Sequence, residues 1–287
     1  MGMKSNVYLP FSELEPALSF GTVKMSEADR RTAEPASWRV WTFRIVAVLV
    51  GLFFAISLTA ALQPWIPSAP GPPFTDSPLL HRWSIPLAAG EDAASGLLLV
   101  YLAWRPRIAP LFLQFYALAI VAFFLTTTPF GNHSEVIGVI AALPIAMYPW
   151  LRDLQVPPWR DGVRLPRLAL ALLAGPFLLA DAWIELQAKT HGRAGADLSN
   201  VEHLLIIWFA MLLAASRRPG SNPLAVMIGA VLLYLGAVAL TVPNAPGGWG
   251  YVGGALSSLA GLAYVLDLMN ERRQRQPKAT ETARSDG

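Results

Sequence analysis

The sequence predicts an all-α fold, a polytopic transmembrane helical bundle of about eight spanning helices. Three observations carry that prediction. Of 287 residues, 54% are hydrophobic and 14% charged, a balance that in a soluble domain would leave too much apolar surface facing water. Apolar runs close to the ~20 residues needed to cross a bilayer recur from Trp41 onward, separated by short breaks rich in Pro, Gly, Asn and Arg. The basic residues alternate between these breaks as cytoplasmic retention of Lys and Arg requires.

Residues 1–40 read as a polar cytoplasmic tail, expected to be disordered, without the apolar core and small-residue cleavage site of a secretory signal. Met25 opens a stretch that resembles a bacterial start, so residues 1–24 are expected to lie upstream of the native initiation site. Spans then fall at about 43–64, 84–104, 108–129, 134–151, 168–188, 201–217, 223–243 and 250–269. The third and fourth are joined only by Pro129, Phe130, Gly131, Asn132 and His133, and merging them gives seven. Pro144, Pro149 and Pro176 each remove a backbone donor and should bend their helices. Residues 271–287 form a second charged tail, also expected to be cytoplasmic and disordered.

With eight spans, the inside segments hold 19 of the 22 basic residues, and only Arg82, Lys189 and Arg193 fall outside. A missed helix would scramble this alternation, so both termini are placed in the cytoplasm. Arg outnumbers Lys 18 to 4, which suggests a GC-rich bacterial genome and hence the plasma membrane. The small net charge of +3, spread over short loops, argues against a nucleic-acid surface. The absence of cysteine excludes disulfides, thiolate metal sites and cysteine nucleophiles.

A tandem repeat underlies the count. The break after the second span reads Arg105-Pro106-x-x-x-Pro110-Leu111, and that after the sixth reads Arg218-Pro219-x-x-x-Pro223-Leu224, displaced by 113 residues. Four helices separate the copies, which predicts a first half at 41–154 and a second at 155–270. Units with an even number of helices share an orientation, so a pseudo-twofold axis along the membrane normal and a site between the halves are expected. In the last span Gly253, Ser257 and Gly261 recur every four residues, as in close helix packing.

Ionisable residues inside the hydrocarbon are costly and point to function. Glu91 and Asp92 in the second span, Asp181 and Glu185 in the fifth, and Glu202 at the start of the sixth form the candidate ligand- or proton-binding set. His81, His191 and His203 are candidate metal ligands, and every histidine, His133 included, falls on the outer side. If spans two, five and six meet, these groups converge on one outward-facing cavity. Ordinary readings stand beside this one. Glu185 and Lys189 are spaced for a helix-end ion pair, and Glu202 suits a first-turn acid at a helix dipole. Adjacent Glu91 and Asp92 point about 100° apart and cannot both face one ligand ideally. Glu91 and Asp181 are hardest to explain structurally.

Such a cavity suits cation binding or proton-linked solute binding or transport across the bilayer, with a divalent cation such as zinc as one occupant. A membrane scaffold, sensor or assembly factor is a second class, and a metal-dependent membrane hydrolase a third. The hydrolase class lacks the expected signatures, since there is no H-E-x-x-H, no histidine pair one turn apart and no G-x-S-x-G. The last span has no lysine to hold retinal. Trp65, Trp83, Trp183 and Trp249 read as an outer interfacial belt, and Trp104, Trp150 and Trp159 as an inner one.

Overall fold

A computed structural model of the chain describes residues 35–66, 81–127, 135–191, 198–245 and 247–275. The two tails and the 129–133 turn lie outside the described residues, apart from a few residues at the tails' inner edges. The chain divides into two units, Met1–Ala36 and Ser37–Gly287, and every helix below belongs to the second. The longer helices are α1 Ser37–Ala55, α2 His81–Trp104, α3 Pro110–Thr127, α4 Glu135–Ala146, α5 Leu165–Thr190, α6 Leu198–Ala214, α7 Ser221–Thr241 and α8 Gly250–Arg275, with four-residue helices at Leu58–Ala61 and Leu151–Leu154. No strand occurs among the described residues, only one isolated bridge between Val163 and Ser216. The all-α bundle is therefore as the sequence predicts.

Five segments are long and apolar enough to cross a membrane: Ser37–Ala61, Arg82–Trp104, Leu165–Thr190, Ser221–Thr241 and Gly250–Gln274. The chain is a multi-pass membrane protein on this ground. The helices α3, α4 and α6 are apolar but shorter. For α4 the reason is local, because Pro149 cannot donate and disfavours helical backbone at Tyr148, so the helix stops at Ala146 rather than 151. Helix α6 is short because it is central: residues from Leu198 to Ala214 are buried on nearly every side. The other helices turn Leu49, Leu125, Leu173 and Val252 outward, where lipid takes the place of protein.

Packing follows a regular pattern. Helix α1 lies on α2 and α5 on α6; α3 lies on α4 and α7 on α8. Across these pairs α2 meets α7 and α3 meets α6, α1 meets α4 and α5 meets α8, and α2 meets α6. Glycine permits the closest approaches. A Cβ on Gly51 of α1 would lie 2.7 Å from the Gly96 carbonyl of α2, and one on Gly261 of α8 would lie 2.8 Å from the Gly229 carbonyl of α7. Within the predicted stripe, Ser257 donates to Leu232 O at 2.7 Å and Gly261 packs on α7, whereas Gly253 lies against Trp249 and Phe177.

The two Arg-Pro breaks touch one another. Gly220 has φ +96°, a left-handed conformation that favours glycine, and a Cβ there would collide with the Ile108 carbonyl of the 3-10 turn Pro106–Ile108. Arg218 is buried and donates to Gln114 Oε1 at 3.1 Å, Val156 O at 2.6 Å and Asp153 O at 3.2 Å. Gln114 in turn donates to Leu154 O and Val156 O. The second Arg-Pro break thus clamps the segment that leads from α4 to α5.

Candidate functional site

Five helices enclose a cavity of about 250 Å³: α2 contributes Glu91, Asp92 and Ser95, α6 contributes Ser199, Glu202 and His203, and α3 contributes Tyr116. Phe54 of α1, Ile120 and Phe123 of α3, and Ile137 of α4 complete an apolar wall. Helix α2 begins at His81, three residues earlier than the apolar run suggests, so Glu91 is ten residues into the helix. At 1.5 Å per residue that is roughly 15 Å from its start. Glu91 sits near mid-helix.

Glu91 is 5% exposed and its two oxygens are engaged. Ser95 Oγ, one turn along α2, donates to Oε1 at 2.8 Å, and His203 Nδ1 on α6 lies 3.0 Å from Oε2. A buried acid beside an imidazole can hold one proton between them, which lets the pair stay in a low-dielectric interior. Asp92 is half-buried in the same cavity, within electrostatic reach of Glu91, Glu202 and His203. The 100° rotation between Glu91 and Asp92 divides their roles, since Glu91 meets α6 while both still border the space.

Tyr116 is the member that the sequence does not single out. It is 6% exposed, stacked on Phe112, and its hydroxyl lies within electrostatic reach of Asp92 and Glu91 without a hydrogen-bond partner. A buried hydroxyl left unpaired costs about 1–3 kcal/mol. A tyrosine in an apolar run carries no signal that distinguishes it from ordinary core.

The remaining expected residues lie elsewhere. Asp181 accepts a hydrogen bond from Trp249 Nε1 at 2.8 Å and does not line the cavity. Trp249 packs, tilted, with its ring centroid 5.0 Å from that of Trp83, which is 1% exposed and so is a core residue rather than part of an interfacial belt. Glu185 is buried at the end of α5, its Oε1 packed against Gly247 in the turn before α8. Helix α6 begins at Leu198, which puts Glu202 in its second turn, past the first-turn position where a helix dipole acts. His191 is exposed at the end of α5, with Nδ1 2.7 Å from Gln187 O. His81 is the first residue of α2, and His133 lies outside the described residues. Among the described residues no group of three or more His, Asp or Glu side chains is arranged to hold a metal ion.

A second polar cluster sits at the opposite ends of the helices. Arg167, fully buried near the start of α5, pairs with Asp267 at 2.6 Å and Glu271 at 3.1 Å on α8. It also donates to Asn222 Oδ1 and Ala214 O. Arg164, one turn earlier, pairs with Glu271 as well. The sequence presents Arg167 as a loop residue that marks topology. The signal for its true place is periodicity: Asp267 and Glu271 are four apart and share a face of α8, and Arg167 lies in the first turn of α5 just after the extended Arg164.

The fold and site define a class, a multi-pass helical membrane protein with a buried acid and imidazole cavity. Comparison with protein-family models, with curated proteins and with solved structures returns no match, so these residues alone carry the functional reading.

Proposed function

We propose that this protein binds a cation or protonated solute in the cavity between α2, α3 and α6, and serves cation- or proton-linked transport across the plasma membrane. The observation that carries the reading is the Glu91 and His203 contact at 3.0 Å, buried beside Asp92 and Glu202. Three carboxylates and one imidazole line that space, an acidic set suited to a cation rather than an anion.

The proposed topology has eight spans with both termini cytoplasmic, arranged as four helices used twice. The packing supports this, because the α1–α2, α3–α4, α2–α7 and α1–α4 contacts each have a counterpart four helices on. So does the contact between the two Arg-Pro breaks at Gly220 and Ile108. A second cavity of about 180 Å³ lies between α5, α7 and α8. Ala119 lines the first cavity and Leu232, 113 residues later, lines the second. The second has an almost wholly apolar lining, so chemistry is assigned to the first.

Thermal unfolding of the purified full chain at fixed ionic strength tests the proposal, with NaCl or NH₄Cl replacing the bulky N-methylglucamine chloride. A ligand present at 100 times its Kd stabilises by about 2.7 kcal/mol. At least one small cation should raise the melting temperature of the wild type and not of Asp92→Asn. Identical melting in all three salts would contradict cation binding.

A further inference from the structure

Resting on the cation reading, the geometry points to a narrower ligand class: a small primary ammonium with an apolar body, its nitrogen between Asp92 and the Tyr116 hydroxyl. The cavity is divided in the way such a molecule is. Carboxylates and the tyrosine come from α2, α3 and α6, while Phe54 of α1, Phe123 of α3 and Ile137 of α4 supply apolar lining. A liquid water occupies about 30 Å³, so 250 Å³ corresponds to about eight waters. An aliphatic amine of six or seven heavy atoms is of that size.

Tyr116 selects among cations. Its hydroxyl is buried and unpartnered, on a residue that lines the cavity and has two acids within electrostatic reach. A bare alkali ion would satisfy charge and leave the apolar wall facing empty space. A quaternary ammonium has no N–H and leaves the phenol oxygen unpaired. A primary ammonium has three donors, enough for the Asp92 carboxylate and the Tyr116 oxygen together. Glu91 is already engaged by Ser95 and His203. It therefore fixes the shape of the site from behind.

The probe is hexylammonium, compared with 1-hexanol, tetramethylammonium and NH₄⁺, on the full chain in detergent by thermal shift and titration calorimetry. Hexylammonium should bind more tightly than all three. Asp92→Asn should weaken it by about a hundred-fold, the upper range for a hydrogen bond to a charged group, and Tyr116→Phe by about ten-fold. Tyr116→Phe removes only an unpaired hydroxyl, so it should fold like the wild type and keep the inference testable if Asp92→Asn does not fold. Equal binding of hexylammonium and 1-hexanol overturns the inference, as does unchanged affinity in Tyr116→Phe. Stabilisation by NH₄⁺ without any gain from the hexyl chain overturns the amine class and leaves the broader cation reading standing. Failure of every cation removes both.

Discussion

Two polar clusters lie within this bundle, one centred on Arg167 and one on Glu91, and they differ in the space beside them. Arg167 meets Asp267, Glu271, Asn222 and the Ala214 carbonyl, so a single buried guanidinium ties α5 to α8, α7 and α6. No cavity among those described adjoins it. The Glu91 cluster instead surrounds about 250 Å³ of space and contains a buried hydroxyl with no partner. Ion pairs packed between helices hold them together, whereas polar groups around a cavity are where a ligand gains from binding. The same residue types do both jobs, and the geometry tells them apart.

The largest expected effect comes from breaking the Arg167 cluster. Arg167→Met leaves Asp267 without its buried partner and Glu271 with Arg164 alone, and removing one member of a buried pair costs about 3–5 kcal/mol. Unfolding in detergent, followed by helical circular dichroism, should show that loss. A change below about 1 kcal/mol, the range of exposed ion pairs, would mean that the cluster is not the structural tie described. The smallest effect should come from the other side of the comparison. Tyr116→Phe deletes an unpaired hydroxyl, so without ligand the stability should be unchanged or higher by up to about 1 kcal/mol. A clear destabilisation of the unliganded protein would show that the hydroxyl has a structural partner.

Much of the fold was legible in the sequence because hydrophobic length and proline placement act locally. The starts and ends moved by a few residues, as at His81, Leu198 and Ala146, where helices extend beyond or stop short of their apolar runs. The site was legible only in part. Glu91 and Asp181 look alike in the sequence, each an acid inside an apolar span. What separates them is rotation about the helix axis: Glu91 turns to His203 on α6, and Asp181 turns to Trp249 at the foot of α8. Rotation depends on partners far along the chain, 112 residues away for His203 and 68 for Trp249. Tyr116 was hidden for the same reason, since nothing local distinguishes a tyrosine facing a cavity from one in the core. Arg167 is instructive in the opposite sense. Its position beside a loop marked it as topological, yet the matched spacing of Asp267 and Glu271 carried the pairing all along.

The most direct test of the contrast is one melting experiment on two variants, Asp92→Asn and Arg167→Met, each with and without NH₄Cl at fixed ionic strength. The account predicts that Asp92→Asn melts near the wild type but gains nothing from ammonium, while Arg167→Met melts lower and keeps the ammonium shift. The reverse pattern, with the shift lost in Arg167→Met and retained in Asp92→Asn, would contradict the assignment of binding to the Glu91 cavity.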